Sequence, residues 1–181
     1  MDSDPDQALV SRHRSGDRAA FPLLVARYQR PLYNAAYRVL GNADDAADVT
    51  QDVFMRISQR LDDYDDRYRF FSWIYRIALN AALNLARHNG HAEPLEDDDA
   101  VEDPHADPEW RAAQAELSAR VQAALMKLRV GDRAVLVLRH FSECSYLEIA
   151  AILEIEEKTV KSRLHEARLR MRELLGELHP A

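Results

Sequence analysis

Cysteine is almost absent from this 181-residue chain, which carries a single one, Cys144. One thiol excludes an internal disulfide and any paired-cysteine zinc site, and it agrees with a reducing compartment. Just ahead of a helix start, Cys144 is expected to be a small, semi-buried structural residue. Glycine is sparse too, at five residues, and the apolar residues recur at helical spacing, which points to helices rather than strands. No apolar run approaches the length of a membrane span, and the opening Met-Asp-Ser-Asp-Pro-Asp lacks the basic and apolar parts of a secretory signal. A cytoplasmic location without membrane insertion is expected. Basic charge is in deficit, with 24 Lys and Arg against 31 Asp and Glu, for a net charge of −7.

That deficit is local. Residues 90–109 hold nine Asp and Glu, no Lys or Arg, and three of the seven prolines; without them the rest of the chain carries +2. Like charges, prolines and few apolar residues mark a flexible acidic linker. The run Glu96–Asp99 lacks the alternate-residue ligand spacing and central glycine of an EF-hand loop, so no metal is expected there. A tract that mimics nucleic-acid charge is a further alternative. The chain therefore divides into a helical unit over 1–89, a linker over 90–109 and a second helical unit over 110–181, an all-α protein of two small domains.

What is present in strength is a helix-turn-helix near the C-terminus. Ser145 and Glu148 form the S-x-x-E pattern of a capping box, which satisfies orphan backbone donors at a helix start. Tyr146, Ile149, Ala150 and Leu153 follow as a buried stripe. After a break at Glu154-Ile155 a second stripe runs through Val160, Leu164, Ala167, Met171 and Leu174. Opposite it project Lys158, Ser162, His165 and Glu166, flanked by Lys161, Arg168 and Arg172 on one side and Arg163 and Arg170 on the other. From Lys158 to Arg172 there are six basic residues and one Glu. Polar side chains toward base edges with cations along both walls suit a helix in a major groove. The alternative, a solvated amphipathic helix at a chain end, usually carries mixed charge.

The N-terminal unit reads as helices over residues 7–15, from Arg18 onward, and from Asp44. The last carries Val49, Val53, Phe54 and Ile57 as its apolar stripe, and a long helix begins near Phe70. Pro31 either kinks the second helix or starts a new one. Between the last two helices lies Asp62-Asp-Tyr-Asp-Asp-Arg-Tyr-Arg-Phe70, rich in aromatics and arginine. Aromatic faces accept unstacked bases and Arg holds a single strand's backbone. Core packing explains Phe70, Phe71 and Trp73 equally well; Tyr64, Tyr68 and the loop arginines are expected to be exposed. Arg76, Asn80 and Asn84 share one strip of the following helix, where either nucleic acid or water would satisfy them.

Two blocks, in this order across such a linker, resemble the extracytoplasmic-function group of bacterial RNA polymerase sigma factors. Asp45-Ala-Ala-Asp-Val-Thr-Gln-Asp-Val-Phe54, with Phe71-Ser-Trp-Ile-Tyr-Arg-Ile-Ala-Leu-Asn-Ala-Ala-Leu-Asn84, resembles region 2, and the second part is particularly like the envelope-stress branch. Leu136 to Ala150, with Thr159 to Arg168, resembles region 4. The resemblance implies a non-enzymatic initiation factor with no catalytic residues, metal or cofactor of its own. Asp45, Asp48, Gln51, Asp52, Val53 and Phe54 would dock on the β′ clamp coiled coil of core RNA polymerase, and region 4 would meet the β flap. Tyr64, Arg67, Tyr68, Arg69 and Phe70 would capture a flipped base of the promoter −10 element, and Arg76, Asn80 and Asn84 would line the melted strand. Lys158, Lys161, Ser162, Arg163, His165, Glu166 and Arg168 would read the −35 element. An anti-sigma factor is an implied partner. This sequence departs from the family pattern at Ala47, where Glu is common, and at Glu154 and Lys158, where Gly is common. Glu166 stands where a basic residue is frequent. The competing readings are a stand-alone helix-turn-helix regulator, for which the docking block has no use, and a nuclease built on the acidic run, which lacks a rigid scaffold.

Overall fold

A computed structural model describes residues 6–88 and 108–176, with side chains over 6–88 and 115–176. In that range the chain folds into α1 (Asp6–Arg14), α2 (Ala20–Leu40), α3 (Ala43–Arg60), α4 (Phe70–His88), α5 (Pro108–Met126), α6 (Val130–His140), α7 (Tyr146–Leu153) and α8 (Glu157–Gly176). A 3₁₀ turn, Leu61–Asp63, follows α3. The acidic segment lies outside the described residues except for Pro108 and Glu109, which already belong to α5.

Helices α1–α4 bury their apolar stripes against one another. Leu24, Tyr28, Leu32, Ala35, Ala36 and Val39 of α2 face Val49, Val53 and Ile57 of α3 and Ile74, Ala78, Leu79 and Ala82 of α4 in a shared core. α2 passes through Pro31 without ending, its apolar periodicity outweighing one missing backbone donor. It closes at Gly41, whose φ of 75° is the left-handed cap that glycine takes without a Cβ penalty. Asn42 then caps α3, its side chain accepting from the Asp45 backbone N–H at 2.9 Å. α1 is tied down through Asp6, which accepts from the Tyr28 hydroxyl at 2.5 Å and pairs with Arg27.

The C-terminal unit is closed by the capping box expected from Ser145 and Glu148. The Ser145 Oγ accepts from the Glu148 N–H at 3.2 Å, and Glu148 accepts from the Ser145 N–H at 2.9 Å. The buried residues of α8 are Val160, Leu164, Ala167, Met171 and Leu174, the stripe read from the sequence. Between α7 and α8, Glu154 takes a left-handed conformation at φ 53°, ψ 45°. Cys144 is fully buried rather than semi-buried, at 1% exposure, and burial pushes its thiol up to about 12.

The two units also pack on each other, which the sequence did not indicate. The junction is built on Arg133 of α6, 3% exposed and with no carboxylate partner among the described residues. Its guanidinium donates to the carbonyls of Val39 at the end of α2, of Met126 at the end of α5 (3.0 Å) and of Leu128 (3.1 Å). These carbonyls are among the unpaired acceptors at the negative ends of two helix dipoles. Burial lowers the Arg133 pKa to about 10, which leaves it charged at neutral pH. Nearby, Gln122 donates to the Tyr37 carbonyl at 3.3 Å, and Arg38 lies over the Phe141 ring at 3.8 Å.

Gly41 is part of this junction, because a Cβ there would meet the Met126 sulfur at 2.6 Å. A side chain there would strain the left-handed backbone and also displace the Met126 sulfur, which accepts from Arg133 at 3.1 Å. Gly41→Ala should lower stability by about 1–2 kcal/mol in a urea titration, a loss that Gly16→Ala would share only for its own backbone.

Candidate nucleic-acid interface

Three surfaces gather the residues singled out from the sequence. The first is the outer face of α3. Asp48, Gln51 and Asp52 are exposed there, and Asp45 and Phe54 are half-buried. Val53, at 0% exposure, belongs to the core and supports this face from beneath. Gln51 and Phe54 line a 750 Å³ groove between α2 and α3, with Phe21, Val25, Tyr33 and Met55 around it. An apolar groove edged by carboxylates suits a partner helix carrying both basic and apolar residues.

The second surface is the loop from Tyr64 to Arg69 and the start of α4. Tyr64, expected to be exposed, is buried at 3%, whereas Tyr68 is 65% exposed. Tyr64 packs edge-on against Phe70 at 5.4 Å and lies 5.3 Å from Trp73, and its hydroxyl donates to the Tyr68 carbonyl at 2.5 Å. Burial raises its pKa. Phe70, at 2%, sits in the same aromatic cluster. The polar neighbours of Tyr64 suggested exposure, but the 3₁₀ turn rotates its ring inward while they stay in water. Tyr68 is thus the loop aromatic whose face is open to a base. Arg67 folds back on Asp65 at 2.6 Å and holds that carboxyl down at about 2.

Arg14 of α1 organises this loop, a role not apparent from the sequence. It donates to the carbonyls of Leu61 (2.9 Å) and Tyr64 (2.5 Å), pairs with Asp66 at 3.0 Å and lies 5.8 Å from the Tyr64 ring centre. Arg14 and Asp66 are 52 residues apart in sequence, so only their proximity in space reveals the pair. Along α4, Arg76 and Asn80 are half-buried and Asn84 is exposed, on one continuous strip.

The third surface is the outer face of α8. Lys158, Lys161, Ser162, His165, Glu166 and Arg168 are exposed. Arg163 is half-buried, its guanidinium resting on the start of α6, 2.9 Å from where a Gly131 Cβ would stand. Lys161 pairs with Glu157 at 2.6 Å, which raises its pKa. Arg168 is oriented by His140 of α6, whose Nε2 accepts from the guanidinium Nε at 3.3 Å. Burial, aided by Arg168, lowers the His140 pKa and so favours the neutral, accepting ring.

Comparison with known proteins places both units. Residues 24–92 match the family model described as Sigma-70 region 2, and residues 118–171 match that described as Sigma-70, region 4. The chain is 35% identical over 173 residues to the ECF RNA polymerase sigma-E factor of Escherichia coli, covering 90% of each protein. It is 33% identical over 178 residues to the RNA polymerase sigma-H factor of Pseudomonas aeruginosa, covering 93% of this chain and 92% of that one. It is 32% identical to the ECF RNA polymerase sigma factor SigW of Bacillus subtilis over 179 residues, 93% and 96% of the two. Among solved structures it is similar to CnrH in complex with the cytosolic domain of CnrY. The TM-score is 0.75 at 34% identity, over 96% of this chain and 99% of that one.

The opposite placements of the two loop tyrosines separate their effects. Tyr64→Ala should cost roughly 3–4 kcal/mol of stability, whereas Tyr68→Ala should stay within about 0.5 kcal/mol of the parent protein, both by chemical denaturation.

Proposed function

The chain belongs to the extracytoplasmic-function group of RNA polymerase sigma factors, and from that premise we propose how its surfaces divide the work of promoter-directed initiation. The protein is an initiation factor rather than an enzyme, and the polymerase performs the chemistry. We assign core docking to the exposed acidic face of α3, formed by Asp45, Asp48, Gln51 and Asp52, with the Phe54 side of the α2–α3 groove. We assign −10 capture to Tyr68, Arg67, Arg69, Arg76, Asn80 and Asn84. Tyr64 and Phe70 act beneath that surface, holding the loop in shape. We assign −35 reading to Lys158, Lys161, Ser162, His165, Glu166 and Arg168, with Arg163 bracing the recognition helix. A cytoplasmic setting and an anti-sigma partner complete the reading. The observation that carries it is the six exposed residues of α8 standing opposite its buried stripe, in a chain whose other half carries the docking block.

Mechanistically, α8 would fix the register on duplex DNA while the loop binds only an unpaired base. Contact energy available solely in the melted form offsets the few kcal/mol, order of magnitude, of unstacking. Glu166 gives the −35 contact its own preference, because a carboxylate accepts from a cytosine amino group where a basic residue would favour guanine.

Three measurements test these assignments. The protein should comigrate with sigma-free core polymerase on size exclusion and support promoter-dependent run-off transcription, and Asp48→Arg or Asp52→Arg should abolish the comigration. Retained duplex affinity with no core binding by the parent protein would instead indicate a stand-alone regulator. Tyr68→Ala should weaken single-strand binding by about 1–3 kcal/mol, the value of one stacked base. Glu166→Arg should shift the sequences selected from a pool of randomised −35 duplexes; an unchanged profile would remove Glu166 from the reading face.

A further inference from the structure

The loop that carries Tyr68 takes its shape from α1. One terminal nitrogen of Arg14 donates to the carbonyls of Leu61 (2.9 Å), Asp62 (3.3 Å) and Tyr64 (2.5 Å). The other reaches both carboxylate oxygens of Asp66, at 3.1 and 3.0 Å. Gln7, two turns earlier on the same face of α1, donates its amide to the Asp66 carbonyl at 3.1 Å. α1 is itself pinned to α2 through Asp6, which accepts from the Tyr28 hydroxyl and pairs with Arg27. Two side chains of one helix therefore hold the segment at residues 61, 62, 64 and 66.

That hold is passed on to Tyr68. The Tyr64 hydroxyl donates to the Tyr68 carbonyl at 2.5 Å, and the Tyr68 N–H donates to the Asp65 carbonyl at 3.0 Å. Both backbone groups of Tyr68 are engaged, while its ring is 65% exposed. Stacking on an aromatic face accepts every base, because every base has a π-face. Selection among bases needs the ring fixed relative to the polar groups beside it, so that only some base edges are satisfied once stacked.

The residues that impose this frame, Gln7 and Arg14, precede the segment matched by the region 2 model, which begins at residue 24. Building on the assignment of −10 capture to this loop, we propose that α1 is part of the −10 reader. Arg14 and Gln7 are positioning residues that hold the loop and, through the Tyr64 hydroxyl, the Tyr68 backbone, and so set the loop's base preference. A purely structural contact would weaken every activity of the chain together. A positioning contact changes the ratio among bases and leaves the other surfaces as they were.

The experiment uses the full-length protein assembled with core polymerase and a fully randomised single-strand dodecamer library, with core polymerase alone as background. Bound strands are sequenced, and the parent should enrich a preferred base. Two variants are compared with it: Arg14→Gln, and Tyr64→Phe, which keeps the buried ring and removes only the hydroxyl. Each should lower that enrichment roughly three- to tenfold, the range that one hydrogen bond supplies. Core comigration and the profile selected from randomised −35 duplexes should match the parent, since α3 and α8 lie outside these contacts. Parental base profiles in both variants would overturn the positioning role and leave the −10 assignment standing. Equal losses at the single strand, the −35 duplex and the core enzyme would overturn it as well, as the mark of a fold contact. If Arg14→Gln melts too low to assay, Tyr64→Phe decides alone by the same comparison. A parent without any base preference would remove the −10 assignment itself, and this inference with it.

Discussion

The arrangement of the two units rests on one buried guanidinium. Arg133 leaves water with no carboxylate to meet it among the described residues, and the carbonyl ends of α2 and α5 replace its hydration. A buried charge is tolerated only when its hydrogen-bonding groups are used, and removal of one side of such a set typically costs about 3–5 kcal/mol. Two of the accepting carbonyls, of Met126 and Leu128, lie in the C-terminal unit, and the third, of Val39, lies in the N-terminal one. The same side chain therefore folds the α5–α6 corner and docks it on α2. Its Nε finds no partner, so the site is not fully satisfied.

Around that anchor the surfaces are graded by how firmly they are set. The α8 face is rigid, because five buried residues fix its rotation and its bases project from one helix. The −10 loop is held from below instead. Arg14 gathers two carbonyls and Asp66, while Tyr64, Phe70 and Trp73 form an aromatic floor. The base capture proposed for this loop would benefit from a fixed floor and an open rim, and Tyr68, 65% exposed, occupies the rim. The α3 face proposed for docking follows the same logic, with Val53 in the core and Asp48 and Asp52 in water on the same helix.

Local periodicity made much of this legible. The α8 stripe, the capping box, the entry to α3 and the start of α4 each depend on residues within one or two turns, and the sequence displays them directly. The failures share a different origin. Tyr64 stands among four aspartates and looks exposed, yet a 3₁₀ turn, the rings of Phe70 and Trp73 and the Arg14 guanidinium decide its burial. Pro31 left a kink open, and packing on both sides of α2 carried the helix through. Arg14 acts on partners 47 to 52 residues away and Arg133 reaches Val39 across 94 residues, and nothing in their own neighbourhoods distinguishes them from solvated arginines. Contacts between units leave no periodic trace, so the junction could be found only in three dimensions.

Glu154 shows how such a contact reads back into the sequence. A left-handed backbone with a Cβ costs roughly 1 kcal/mol relative to glycine, and an ion pair as exposed as Arg76–Glu154 returns at most about the same. The two contributions cancel, so stability gives no reason to prefer glutamate there over glycine. What glutamate adds is direction. It places a carboxylate of the helix-turn-helix against Arg76 of α4, at 3.6 Å. The left-handed turn between α7 and α8 and the packing of α7 against α4 thus meet in one electrostatic contact.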